Sequence, residues 1–260
     1  MANFNLPDID TNALLDAAIE AAEAACTEIL EVYMSGDFQA ELKGDNSPLT
    51  VADKNAHEII VSILEPFGLP ILSEEGKSIP YAERKAWEYF WMVDPLDGTK
   101  EFLKRNGEFT VNIALIHHDK PVMGVVAVPV KGDVYYAVDN AAFIKRNGVD
   151  KKLLRRGRVN LKQAGLRVVA SRSHMNEATQ KFIDALPEPT LVSSGSSLKF
   201  MLLAEGLADV YPRYAPTMEW DTAASHAIIN AVGLKVLQNG SDEELVYNKE
   251  NLLNPEFLVG

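Results

Sequence analysis

The spacing of apolar residues predicts an α/β (α+β) chain of alternating helical and sheet layers. Two amphipathic helical patterns come first, Val-, Ile- and Tyr-rich runs broken by tight turns follow, and short strands then alternate with helices to the end. Leu15, Ala18, Ala22, Ala25, Ile29 and Val32 recur at spacings of three and four, so one helix should end near Gly36 and pack on a sheet. After a polar turn over residues 44–48, a second face of Ala52, Ala56, Ile59, Ile60, Ile63 and Leu64 stops at Pro66 and Gly68. Runs 70–73 and 90–93 read as buried strands, each leading straight into acidic residues. Residues 109–138, with turns at 119–120 and 131–133, read as an antiparallel meander, and a further strand should include Phe143.

The basic stretch 151–158 reads as a solvated loop and as the seam between two halves, 1–160 and 161–260, of a single catalytic unit spanning residues 1–260. Beyond it the pattern predicts strand 166–170, a helix from His174, strand 190–192, a helix from Ser196, a strand near Val210, a helix from Asp221 and strand 235–237. Internal repeats and low-complexity segments are absent from the sequence.

With 47% hydrophobic and 24% charged residues in 260, the chain is of ordinary globular composition. A formal charge of −12 speaks against a nucleic-acid polymer as partner, because such binding draws its affinity from a basic surface. A small anion needs only a local cationic pocket. The sole cysteine, Cys26, sits among alanines in a helical pattern and reads as a small buried hydrophobe. The opening MANFNLPDID lacks a basic n-region and an apolar h-region, so a cytoplasmic location is expected, with peripheral association at the inner membrane face left open.

The most informative segment is WMVDPLDGTKEF. A buried strand delivers Asp94, Pro95 restricts the backbone, and Asp97 follows with Gly98 and Thr99. Hard divalent cations such as magnesium take oxygen ligands, and this turn also presents the Leu96 carbonyl between its two acids. A helix starting at the turn would aim free N–H groups at an anion, for which phosphate is the natural guest. Other carboxylates stand at predicted element ends. Glu74, with Glu75 as its rival, closes the 70–73 strand; Asp53 and Asp221 stand at helix starts. Each has an ordinary structural reading: a surface pair for Glu74 and Glu75, a capping-box partner for Asp53, an N-cap for Asp221. Their joint placement at element ends is where α/β enzymes collect functional groups.

The segments SPLTVADKNAH, ILSEE, WMVDPLDGTKEFLKRNGEFTVNIALI, VASRSH, GSSLKFMLLAEGLADVYPR and EWDTAASHAI, in this order, resemble the inositol monophosphatase superfamily, and most closely its CysQ-type 3′(2′),5′-bisphosphate nucleotidases. The resemblance implies a layered αβαβα sandwich of the inositol monophosphatase and fructose-1,6-bisphosphatase type. It implies two or three Mg2+ ions held by Glu74, Asp94, the Leu96 carbonyl, Asp97 and Asp221, with Asp53 joining through water or a further ion. Thr99 and Asp53 would orient the attacking water, Glu74 would share the catalytic role, and Gly98 and Thr99 would hold the scissile phosphate. His174, Ser196, Lys199 and Arg213 would surround the nucleoside and its second phosphate; taken alone, they read as a helix-start residue, an N-cap and two surface cations. The expected substrate is 3′-phosphoadenosine 5′-phosphate (PAP), cleared as a by-product of sulfate assimilation, with inhibition by lithium. No GxSxG or paired Cys-His motif points to a covalent intermediate, so direct attack by water is expected. An inositol monophosphatase on the same scaffold, a non-catalytic nucleotide sensor and an interaction module are the alternatives.

Overall fold

A computed structural model describes residues 10–38, 41–42, 48–170 and 175–260. Asp10 caps helix α1 (Thr11–Ser35) by accepting the Asn12 N–H, and Gly36, at φ 74°, ends it in left-handed backbone. Two short antiparallel strands, β1 (Glu41–Leu42) and β2 (Pro48–Leu49), lead to α2 (Val51–Leu64). The apolar faces of α1 and α2 pack on each other and on one face of a seven-stranded sheet. Cys26 is partly buried there, and burial, then Glu23, pushes its thiol up to about 12, in keeping with an unreactive small hydrophobe.

The sheet runs in chain order through β3 (Ile71–Ser73), β4 (Tyr89–Asp97), β5 (Thr110–His117), β6 (Lys120–Val128), β7 (Asp133–Val138), β8 (Ala141–Arg146) and β9 (Val149–Lys152). Short helices α3 (Tyr81–Arg84) and α4 (Thr99–Leu103) flank β4. All pairs but one are antiparallel; β3 runs parallel to β4, because residues 74–88 return the chain to the end at which β3 began. The expected antiparallel first sheet is therefore mixed. The turn between β5 and β6 falls on His118 and Asp119, one residue earlier than expected. Residues 151–152, the start of the stretch expected to be a solvated loop, instead complete β9. As an edge strand exposed on every residue, β9 carries none of the apolar alternation by which a strand is read.

Beyond residue 160 come β10 (Arg167–Ala170), α5 (Glu177–Asp184), β11 (Thr190–Ser193), α6 (Leu198–Ala204), β12 (Tyr211–Arg213), α7 (Glu219–Ala231), β13 (Val236–Gln238) and β14 (Phe257–Val259). These helices start within a few residues of where the pattern placed them: α5 at Glu177, where Asn176 accepts the Thr179 N–H, α6 at Leu198 rather than Ser196, and α7 at Glu219 rather than Asp221. His174 lies outside the described residues. Helices α6 and α7 cover the second face of the large sheet. Over them lie the β12–β14–β13 sheet and the parallel β10–β11 pair, and Ile183 of α5 closes a third core over Val168 and Ala170. The layers thus run α, β, α, β, α, as expected.

Alternation along β4 explains how one strand serves two cores. Phe90 and Met92 face α6 and α7, whereas Trp91 and Val93 face α1 and α2. Gly124 on β6 lets α7 approach: a Cβ built there would fall on the Ala224 carbonyl. Among the described residues no helix is long and apolar enough to cross a membrane.

Candidate active site

Strand pairing sets the acidic residues side by side. Ser73 stands opposite Val93 in the β3–β4 pair, and the Glu74 N–H donates to the Val93 carbonyl at 3.1 Å, so Glu74 comes level with Asp94. Asp94 and Asp97, three residues apart, would face opposite sides of a regular strand. A bulge prevents this: Asp94 pairs with Asn112 and Asp97 with Thr110, three steps on β4 against two on β5. Pro95, without an N–H, falls inside the bulge, where it costs the ladder no donor. Leu96 turns its side chain into the α1/α2 core, anchoring its carbonyl, and its N–H donates to Asp94 Oδ1 at 3.1 Å. Gly98 then turns the chain at φ 97° into α4, where a Cβ would press on Glu108 and Ser196.

Carboxylate oxygens of Glu74, Asp94 and Asp221 lie within 4.8 Å of one another. Asp221 is not the N-cap expected from sequence but the third residue of α7, where its Oδ2 accepts the N–H of the cap residue Met218 at 2.9 Å while the carboxylate joins the cluster. Asp53 is divided in the same way. Its Oδ2 accepts from the Thr50 N–H and hydroxyl at 2.7 and 2.6 Å, closing a capping box, while its Oδ1 accepts the Thr99 hydroxyl at 3.2 Å. Thr99 Oγ1 also lies 3.4 Å from the Leu96 carbonyl.

Asp97 is outside the group of three but adjoins it. Its Oδ2 receives the Ser196 hydroxyl at 2.6 Å and the Ser197 N–H at 2.8 Å, with the Ser197 hydroxyl at 3.0 Å. That hydroxyl is also 3.1 Å from the Asp221 carbonyl and accepts Asn112 Nδ2 at 3.0 Å. Thr110 Oγ1 lies 2.6 Å from Ser196 Oγ. Ser197, Thr110 and Asn112 were not singled out from sequence. The signal existed: Thr110 and Asn112 alternate as two polar residues on one face of an otherwise apolar strand.

A cavity of about 110 Å³ opens beside the acids, lined among others by Gly98, Ser196, Lys199, Tyr211, Arg213 and Asp221. Burial brings the Lys199 ammonium down to about 8 against the pull of Asp97, and it donates to the Ser196 carbonyl at 2.7 Å. Arg213 Nη2 donates to the Pro216 carbonyl at 3.1 Å, while its buried Nε has no hydrogen-bond partner among the described residues. Except for His174, every residue proposed from sequence borders the acidic cluster or this cavity.

The donor set fits a hard divalent cation. Burial, then the charges of Glu74, Asp97, Asp221 and Asp53, raises the Asp94 carboxyl well above the usual range. Burial and Asp97 do the same to Asp221. Like-charged oxygens held this close, one of them on a buried side chain, are relieved by a cation with oxygen preference; with no sulfur or imidazole in the group, magnesium or calcium chemistry suits it better than zinc.

The family model for the inositol monophosphatase family matches residues 10–256. The 3′(2′),5′-bisphosphate nucleotidase CysQ of Escherichia coli K12 is 44% identical over 251 residues, covering 95% of this chain and 99% of that protein. A crystal structure of CysQ from Bacteroides thetaiotaomicron superposes with a TM-score of 0.83 at 49% identity, covering 97% of this chain and 98% of the other. An IMPase from Thermotoga maritima, at 21% identity, shares the fold with a TM-score of 0.76 over 94% of this chain and 91% of its own. The chain belongs to the inositol monophosphatase family.

Proposed function

We propose that this chain is a magnesium-dependent 3′(2′),5′-bisphosphate nucleotidase that hydrolyses 3′-phosphoadenosine 5′-phosphate to AMP and phosphate, with residues 1–260 acting as one catalytic unit. The observation that carries the reading is the adjacency of two opposite charge sets. Three converging carboxylates stand next to a cavity holding Lys199 and Arg213. A site for one phosphate needs the first set; a second phosphate on the same molecule gives the two cations a partner. Support for one unit is that Glu74 and Asp94 come from the first half of the chain and Lys199, Arg213 and Asp221 from the second.

Two or three magnesium ions would be held by Glu74, Asp94, the Leu96 carbonyl, Asp97 and Asp221, and would supply Lewis acidity at the phosphoryl and leaving-group oxygens. The Thr99 hydroxyl, its hydrogen directed to Asp53 Oδ1, keeps its lone pairs for a hydrogen bond from the attacking water and so aims that water at phosphorus. Asp53 is the carboxylate placed to take up the water's proton through Thr99. Gly98 and Thr99, at the start of α4, would hold the scissile phosphate. Ser196, Lys199 and Arg213 hold the nucleoside side, with His174 proposed on sequence resemblance. Water attacks phosphorus as its proton passes through Thr99 to Asp53, the 3′ P–O bond breaks, and the ribose oxygen leaves with the bonding electron pair and takes a proton from solvent.

The test is phosphate release from PAP, inositol 1-phosphate and fructose 1,6-bisphosphate, each with and without magnesium. PAP should give the largest kcat/KM, and only with the metal. A larger value for inositol 1-phosphate would reassign the chain to inositol phosphate hydrolysis, and no release from any of the three would favour a non-catalytic sensor.

A further inference from the structure

At the opposite end of the seven-stranded sheet from the acidic cluster lies a second group of metal-ligating side chains, of different chemistry. Glu88 precedes β4, and His117 and His118 close β5 and open the turn to β6. One ligand atom from each lies within 4.8 Å of the others. Six residues of extended chain separate Glu88 from Asp94, about 20 Å at ~3.3 Å per residue, so the two groups cannot share an ion. The geometry points to a site for a transition-metal dication of the Zn2+ class, held by Glu88, His117 and His118.

Three features hold these ligands together. Consecutive residues of a strand face opposite ways, which would separate the two imidazoles. His118 instead takes left-handed backbone, φ 55°, and its ring turns back to lie 4.3 Å from that of His117 at an interplanar angle of 32°. The His118 N–H donates to the Glu88 carbonyl at 2.7 Å, tying the carboxylate-bearing residue to the turn. The His117 ring stacks on Tyr89 at 4.3 Å and 13°, with its Nε2 3.8 Å from Glu88 Oε1. The positive φ is what a two-residue hairpin loop, His118 and Asp119, asks of its first central residue, so the turn itself brings the two imidazoles together beside the carboxylate.

Ligand chemistry selects the metal. Two imidazoles and one carboxylate suit Zn2+, Cu2+ or Ni2+ and leave a position open to water, whereas Mg2+ asks for an octahedron of oxygens. Bonds of about 2.1 Å to a tetrahedral ion space its ligands by roughly 3.4 Å. The present 3.8 Å between His117 Nε2 and Glu88 Oε1 is close to that spacing.

The test titrates Zn2+ calorimetrically into the full chain under saturating magnesium, which occupies the acidic cluster. Separately, Cu2+ serves as an EPR probe, because nitrogen hyperfine splitting reports imidazole and the acidic cluster offers only oxygen. One Zn2+ site is expected, weakened at least about tenfold by Glu88→Gln and by His118→Asn, the second keeping a residue that tolerates left-handed backbone. Nitrogen splitting should fall from two nitrogens to one in His118→Asn, with phosphate release unchanged in both variants. Zn2+ affinity unchanged in Glu88→Gln and His118→Asn, or a Cu2+ spectrum with oxygen ligands alone, overturns the assignment.

Discussion

Ser197 holds one carboxylate oxygen of Asp97 by its N–H at 2.8 Å, and its hydroxyl lies 3.0 Å from the same oxygen and 3.1 Å from the Asp221 carbonyl. One small residue at the start of α6 therefore fixes the strand-borne acid and touches the helix-borne one. Groups that orient metal ligands in this way cost about 10- to 100-fold in metal affinity when removed. Ser197→Ala should raise the magnesium concentration needed for half-maximal phosphate release by about that factor, with the melting temperature little changed. An unaltered magnesium dependence would show that Asp97 is held without it.

Burial, and then four neighbouring carboxylates, raise the Asp94 carboxyl well above its usual range. A charge disfavoured by the fold and needed by the metal predicts a split outcome for Asp94→Asn. Turnover should fall by on the order of a thousandfold or more, several kcal/mol of transition-state stabilisation. The metal-free protein should melt no lower than wild type, because the neutral amide removes a like charge. Near-wild-type turnover in this variant would refute the placing of the metal.

How much of this was legible in the sequence depends on whether the signal was local. The Asp94–Asp97 turn, with Gly98 and Thr99, could be read because strand, turn and helix start follow one another within ten residues. Glu74 could be read only on the condition that β3 lies beside β4, which the parallel pairing meets. The bulge that turns Asp97 to the side of Asp94 depends on the register of β4 against β5 and leaves no local trace beyond Pro95. Ser197 reads as one serine among several in SSGSS, and its role arises from contact with a strand 100 residues earlier. β9 was missed because an exposed edge strand needs no apolar alternation. Asp53 is the capping-box partner that its spacing from Thr50 suggests, whereas Asp221 is not the N-cap but the third residue of α7, accepting the N–H of the cap residue Met218; both also stand beside the acidic cluster, a placement that only the fold provides.

Glu219 stands two residues before Asp221 and is fully buried, paired with Lys249 Nζ at 2.6 Å and accepting the Lys249 N–H at 3.1 Å. This contact pins the first turn of α7 to the loop after β13. Breaking a buried pair by removing one partner leaves an uncompensated charge and costs about 3–5 kcal/mol. Glu219→Ala should lower unfolding free energy by about that much in urea and weaken magnesium binding through misplaced Asp221. The double variant Glu219→Ala, Lys249→Met should recover part of the loss; if it is no more stable than Glu219→Ala, the pair is not what holds the turn.

Acid sensitivity should arise at the other end of α7. His226 is buried, its Nδ1 2.9 Å from the Tyr247 hydroxyl and its Nε2 3.0 Å from Glu244 Oε2, and Lys235 also pairs with Glu244. Burial, against the pull of Glu244, holds the imidazole below its ordinary 6.5. For Glu244 burial acts upward, but hydrogen bonds from His226, Lys235 and Asn230 outweigh it and bring the carboxyl down to about 2. Both shifts are depressions, so the unfolded chain binds protons first in each case, and stability falls with pH. It is complete above about pH 6.5, declines below that as unfolded His226 protonates, and declines again from the ordinary carboxylate value of 4.5 toward 2 as unfolded Glu244 does. With Glu244 a third exposed, solvent screening reduces its share to on the order of 1 kcal/mol. Urea unfolding of wild type and His226→Gln between pH 8 and pH 5 separates this residue from the other histidines, which titrate alike in both proteins. Wild type should lose stability more steeply below pH 6.5; parallel curves would place the acid sensitivity elsewhere.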